Sequence, residues 1–145
     1  MNWIAVAAAF LALGVGCGAF GAHLLQGRLD NYSMTIWERA VMYHFFHALG
    51  MLAVPALARL ELVTRGGAEW ACRLLAIGIV LFAGSLYALA LTGQRMLGAI
   101  TPFGGVAMIA AWVVLALAAR RAKNAPATGS GTDAASLPAV SSSAR

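Results

Sequence analysis

Three histidines and a few uncharged polar side chains are the residues of this sequence that could do chemistry. His44 and His47 are three positions apart, which places them on one side of a helix. Neutral imidazoles are ligands of zinc and of haem iron, and they transfer protons near neutral pH. The cluster that we predict consists of His23, Tyr43, His44, His47, Thr92, Gln94 and Thr101.

Three interpretations of this cluster are compatible with its residue types. In the first, the side chains form hydrogen bonds between helices, and such bonds contribute about 0.6 kcal/mol on average in membranes. In the second, His23, His44 and His47 bind zinc, or two of them bind haem, although Glu38 is the only acid nearby and no H-E-x-x-H motif is present. In the third, the cluster lines a small polar cavity for a proton, an ion or a solute. We expect the first interpretation, and therefore no cofactor.

The elements that position these residues follow from the distribution of charge. All ten basic and all five acidic side chains lie outside the windows 1–27, 40–58, 74–94 and 96–119. A helix needs about 20 mostly apolar residues to cross the hydrocarbon core of a bilayer. Hydrophobic residues make up 61% of the chain, against about 45–50% in soluble proteins. The sequence therefore predicts an integral membrane protein rather than a soluble helical one.

The predicted fold is an all-α, four-helix up-down bundle in one transmembrane domain, residues 1–121. The spans are expected at about 4–25, 38–58, 71–92 and 100–119. This topology brings the predicted polar cluster to one end of the bundle. Thr101 is predicted as the N-cap of the fourth helix, and Gly93 as the residue that ends the third. Residues 122–145 are rich in Ala, Ser, Thr, Gly and Pro, which predicts a disordered tail.

Glycine spacing indicates where helices approach each other closely. Gly14, Gly18 and Ala22 recur every four residues on one face of the first span, a spacing that lets another helix approach. The full set of glycines that we predict to pack helices is Gly14, Gly18, Gly21, Gly84, Gly104 and Gly105. We expect the chain to contact the lipid bilayer and to pack with itself or with another membrane protein.

The basic residues favour one orientation in the membrane. The second loop and the segment after the fourth span hold seven Lys and Arg residues, whereas the first and third loops hold three. The positive-inside rule then places both termini in the cytoplasm, N-in and C-in. The net charge of +5 is explained by this bias, so we expect no nucleic-acid partner.

Four ordered motifs resemble those of a known family. They are GAFGAH at 18–23, YHFFHAL at 43–49, GSLY at 84–87 and LGAITPFGG at 97–105. The sequence is similar to the UPF0382-type family of small four-span membrane proteins, which includes bacterial YgdD and eukaryotic transmembrane protein 256. The resemblance implies a place in the bacterial cytoplasmic membrane and a domain of unknown function, with no catalytic residue to transfer. His44 stands where many relatives have glutamine, a poor zinc ligand.

These observations together predict a structural or binding component of the membrane. They favour a non-enzymatic role and assign no catalytic residue. The alternative is a protein that conducts a small solute, an ion or a proton, and the third reading is a membrane enzyme that depends on a metal or on haem.

Overall fold

The computed structural model describes residues 1–124, and these form helices without any strand. The helices are α1 (Trp3–Phe20), which a π-helical turn (Gly21–Leu25) extends, α2 (Asn31–Arg59), α3 (Arg65–Thr92), a 3₁₀ turn (Arg95–Ala99) and α4 (Thr101–Lys123). The predicted all-α fold is confirmed. The predicted tail lies outside the described residues from position 125 onward, and its first two residues belong to α4.

Each of the four helical segments is long and apolar enough to cross a membrane. Two of them begin earlier than predicted, because α2 starts at Asn31 and α3 at Arg65. The Asp30 carboxylate accepts a hydrogen bond from the Ser33 amide at 2.7 Å, which caps the early start of α2. Charge patterning marks only the hydrocarbon core of a bilayer, whereas helical hydrogen bonding continues where polar residues are tolerated. The predicted second and third spans were therefore shorter than α2 and α3.

Helices that follow each other in sequence are antiparallel neighbours, and the most extensive contact joins α3 to α4. The central pair is α2 and α3, because each outer helix also reaches the non-adjacent member of that pair. Trp3 of α1 donates a hydrogen bond to Glu69 of α3 at 2.7 Å, and Trp112 of α4 lies against Gly50 of α2. Met51 and Leu75 are fully buried between them.

The two ends of the bundle differ in charge. One end contains the start of α1, the α2–α3 loop and the last turn of α4, where the Thr64 amide donates to the Ala118 carbonyl at 3.3 Å. We call it the basic end, and its basic side chains are Arg59, Arg65, Arg73, Arg120, Arg121 and Lys123. The opposite end contains the α1–α2 loop and the α3–α4 connection.

Two predicted helix boundaries at the opposite end have different outcomes. Gly93 ends α3 in the left-handed region at φ 67°, with its amide bonded to the Leu89 carbonyl at 2.9 Å, as glycine at that position predicts. Thr101 does not cap α4, because the cap residue is Ile100 and no side chain closes it. The Thr101 hydroxyl instead lies 2.8 Å from the Ser85 hydroxyl of α3.

Close helix packing occurs at some of the predicted glycines. A methyl group on Gly104 would collide with the backbone of Phe82, and one on Gly21 would lie 2.5 Å from the Trp37 indole nitrogen. Gly14 lies against the Phe45 ring, where the corresponding distance is 3.3 Å. These contacts join α3 to α4 and α1 to α2.

Other glycines depart from the predicted set. Gly18 and Gly105 make only ordinary contacts, at 3.7 Å from their nearest neighbours. Gly84 was predicted to pack against a helix, but within residues 1–124 it does not, because a methyl group there would meet nothing within 4 Å. Gly50 and Gly78, which were not predicted, lie close to Trp112 and Met108 of α4. Small-residue spacing alone does not tell which side of a helix faces a neighbour.

Candidate functional site

His44 of α2 lies inside the bundle and contacts α1 and α3. Its side chain is only 5% exposed. Nδ1 lies 3.3 Å from the Tyr87 hydroxyl of α3, and the Phe10 ring of α1 meets the imidazole edge-on at 5.7 Å between centroids. Nε2 is buried and has no hydrogen-bond partner among the described residues. The residue therefore links α1, α2 and α3 without opening to the bilayer.

His47 faces a different neighbour from His44. Its Nδ1 donates to the Tyr43 carbonyl one turn earlier at 2.8 Å, and its ring stacks on the Tyr43 ring at 5.9 Å. On its other side the ring lies 6.2 Å from Trp112 of α4. A separation of three residues leaves about 60° between two side chains around a helix. That difference is enough to direct His44 toward α1 and α3 and His47 toward α4.

The remaining members of the predicted cluster lie apart from these two groups. His23 is exposed in the π-helical turn, and Gln94 is exposed after α3. The Thr92 hydroxyl donates to the carbonyl of Ala88 in its own helix at 2.7 Å. Thr101 belongs to the α3–α4 contact with Ser85, whose hydroxyl is also 3.0 Å from the Phe82 carbonyl.

The three histidines are consequently not assembled as one set of ligands. Within residues 1–124, no group of three or more His, Cys, Asp or Glu side chains has the proximity to hold a metal ion. The structure replaces the single predicted cluster with three separate pairs: His44 with Tyr87, Tyr43 with His47, and Ser85 with Thr101. The first pair joins α2 to α3 and the third joins α3 to α4, whereas Tyr43 and His47 both belong to α2.

Sequence reasoning missed Trp37, Ser85 and Tyr87. The Trp37 indole is 4% exposed, donates to the Cys17 carbonyl at 3.0 Å and lies 4.6 Å from the Tyr87 ring. Ser85 and Tyr87 were visible in the sequence as polar groups inside a window without charges. Polar side chains at such depth normally face the bundle interior and have partners, and this rule would have assigned both residues.

A further polar group lies at the basic end. Glu69 of α3 accepts the Trp3 indole hydrogen at 2.7 Å and pairs with Arg73 at 3.1 Å. The Arg73 guanidinium in turn lies 5.3 Å above the Trp70 ring. These contacts hold the beginning of α1 against α3. Like the buried pairs, they position helices relative to each other.

The comparisons with known proteins agree with a membrane bundle. A family model described as "Protein of unknown function (DUF423)" matches residues 17–105. A UPF0382 membrane protein of Staphylococcus epidermidis is 50% identical over 106 residues, which cover 73% of this chain and 84% of the relative. The UPF0382 membrane protein YwdK of Bacillus subtilis is 48% identical over 107 residues, 74% of this chain and 86% of its own length. No solved structure matches.

Proposed function

This chain belongs to the DUF423 family of UPF0382 membrane proteins, and we propose that it serves as a packing component of the membrane, which associates with a second copy of itself or with another membrane protein. One observation carries this proposal. Ala8, Ala12 and Gly16 recur every four residues on α1, and all three are exposed. A methyl group on Gly16 would meet nothing within 4 Å.

The exposed row differs from the glycine face that the chain already uses. Gly14 and Gly21 of the same first span lie against Phe45 and Trp37 of α2. The row Ala8, Ala12 and Gly16 is on a side of α1 that no other helix within residues 1–124 covers. Small residues let two helices approach closely, and close approach drives association in lipid because apolar burial gives no preference there. A helix of a second molecule fits this side of α1.

Photo-crosslinking in membranes tests the proposal. A photoreactive amino acid placed at Ala12 should capture a second copy or one other membrane protein, which mass spectrometry identifies. Gly16→Leu should suppress the adduct by blocking the row. Gly84→Leu is the matched control, because Gly84 is equally open but lies on α3. Capture of lipid alone at Ala12, or equal suppression by both substitutions, would contradict the proposal.

The proposal includes an orientation, with both termini on the cytoplasmic side of the bacterial inner membrane. Six basic residues at the basic end support it, against Arg28, Arg39 and Arg95 at the opposite end, because cytoplasmic loops carry the excess of Lys and Arg. Reporter fusions at each terminus test the orientation. A terminus that reports from outside would refute it.

A second candidate function, conduction of a proton or a small ion, is favoured by the buried Nε2 of His44, for which residues 1–124 provide no hydrogen-bond partner. A buried imidazole with one free nitrogen can take up and release a proton. Liposomes that contain the protein should then show proton flux across a pH step, and His44→Gln should remove it. Flux no greater than in protein-free liposomes would exclude this function.

A further inference from the structure

A groove on the surface of the bundle lies between α3 and α4 at the basic end. We call it the α3–α4 groove, and its volume is about 590 Å³. Its principal lining residues are Gly66, Trp70, Leu74, Val114, Leu117 and Arg121. The groove begins at the first turn of α3 and follows the last turns of α4 toward the bundle centre.

The part of the groove nearest the bundle centre is apolar. Leu74, Val114 and Leu117 form its walls, and Leu117 is 47% exposed. In a membrane these walls face hydrocarbon. A furrow between two helices offers a methylene chain contact on more than one side, so dispersion contacts with a chain laid in it exceed those on a flat helix face.

The mouth of the groove is basic and aromatic. Arg121 lies there and makes no ion pair with any residue in 1–124. None of the lining residues is acidic, and Glu69, the acid in the adjoining turn of α3, is already engaged by Trp3 and Arg73. Trp70 is 58% exposed beside the mouth, and tryptophan is enriched at the level of lipid headgroups.

We propose that the α3–α4 groove binds an anionic phospholipid. The Arg121 guanidinium donates hydrogen bonds to the phosphate, a geometry for which arginine has paired donors. One acyl chain lies along Leu74, Val114 and Leu117, and the Trp70 indole sits beside the headgroup. An anionic lipid is selected over a zwitterionic one because no acidic side chain in the lining offsets the charge of Arg121, and basic sites between membrane helices recognise such headgroups.

Native mass spectrometry of the full chain tests this inference. The protein in micelles is offered phosphatidylglycerol and phosphatidylcholine with identical acyl chains. Retention of phosphatidylglycerol should exceed that of phosphatidylcholine by about fivefold, the factor that one basic side chain near the membrane surface contributes. Arg121→Gln should remove this preference, and Arg121→Lys, which keeps the charge, should restore most of it.

Two further variants separate the groove from the general charge of the basic end. Arg120→Gln removes the same charge one residue away, outside the lining, and should keep the preference. Gly66→Leu places a side chain into the empty mouth, where a methyl group meets nothing within 4 Å, and should weaken retention of both lipids. Circular dichroism of each variant confirms that the helices are intact.

Four outcomes would overturn the inference. They are equal retention of the two lipids, an equal loss with Arg120→Gln and Arg121→Gln, no effect of Gly66→Leu, and displacement of the lipid by glycerol phosphate at the same concentration. The last would show a site for free phosphate rather than for a lipid. All four are independent of whether α1 associates with a second molecule, so they leave the proposed packing function to its own test.

Discussion

The α1–α2 hairpin and the α3–α4 hairpin both pack around glycines, but the glycines meet different groups. On α3–α4, Gly104 faces the backbone of Phe82, and Gly78 lies close to the Gly104 carbonyl and to Met108. On α1–α2, Gly14 and Gly21 face aromatic rings. The first interface brings two backbones together, whereas the second uses glycine to make room for a ring.

This difference has a consequence for tolerance to substitution. A backbone cannot move away from an added methyl group unless the whole helix shifts, whereas a ring can rotate or translate within its site. Membrane helix pairs gain their stability from such close contacts, since burial in lipid gives no hydrophobic preference. The α3–α4 hairpin should therefore be the more sensitive half of the molecule.

The largest effect is expected for Gly104→Ala. Overpacking costs up to about 3 kcal/mol, and the helical preference of alanine over glycine offsets roughly 1 kcal/mol of that. We expect the free energy of unfolding in mixed micelles to fall by about 2 kcal/mol, the difference of these two terms. Gly105→Ala is the control, because its nearest contact is an ordinary 3.7 Å. Equal stability of the two variants would remove the distinction between the hairpins.

A smaller loss is expected for Gly21→Ala on the α1–α2 hairpin. The added methyl group would displace the Trp37 indole, which also donates to the Cys17 carbonyl at 3.0 Å. We expect the free energy of unfolding to fall by about 1 kcal/mol, because movement of the Trp37 ring relieves part of the overpacking. Gly18→Ala, with its nearest contact at 3.7 Å, should be neutral or slightly stabilising in the same measurement. A larger loss for Gly21→Ala than for Gly104→Ala would reverse the comparison.

Next in size is the coupling between Ser85 and Thr101. Their hydroxyls are 2.8 Å apart across α3–α4, so a double-mutant cycle with Ser85→Ala and Thr101→Val should give about 0.6 kcal/mol, the average for such bonds in membranes. Thr92 supplies the control, since its hydroxyl donates to the Ala88 carbonyl of α3 and accepts from the Gln94 amide just after that helix. A cycle between Ser85→Ala and Thr92→Val should show no coupling. Coupling of the same size there would mean that the first cycle does not measure the hydrogen bond between Ser85 and Thr101.

The smallest effect is a pH dependence at the start of α2. Hydrogen bonds from the Ser33 amide and hydroxyl hold the pKa of the exposed Asp30 carboxyl below its usual value. The stability that the Asp30 cap contributes is therefore fully present above the pKa of this carboxyl in the unfolded chain, about 3.9. It is lost as the pH falls through the lower pKa of Asp30 in the folded protein. The protection factor of the Ser33 amide, which is the intrinsic exchange rate divided by the observed rate at the same pH, should fall on acidification. The start of α3, capped by Thr64, should not respond, and Asp30→Asn should abolish the dependence; a response that persists in this variant would assign it elsewhere.

Much of the fold followed from the sequence because its signals are local. Charges excluded from four windows predicted four spans, and Gly93 predicted the end of α3 since only its own backbone angle is involved. Thr101 was predicted as a cap from its position before Pro102, but the nearby Ser85 hydroxyl engages its side chain. The competing partner is sixteen residues away and belongs to another helix, so no local pattern contains it.

The candidate site was less predictable than the fold. The predicted up-down topology placed the histidines at one end of the bundle. It gave neither the depth of each side chain in the bundle nor the helix that each side chain faces. His44 and His47 have different neighbours because the rotation of α2 is set by packing on α1, α3 and α4 together. Tyr87 became the partner of His44 for the same reason.

The sequence by itself determined that this is a four-helix membrane protein with a basic end, because hydropathy and charge act residue by residue against the surrounding solvent. Only the tertiary structure decided which glycines carry helix contacts, which polar groups pair, and that a groove lies between α3 and α4 beside Arg121. These features depend on how the helices rotate and cross, and packing fixes those angles through contacts between residues far apart in the chain.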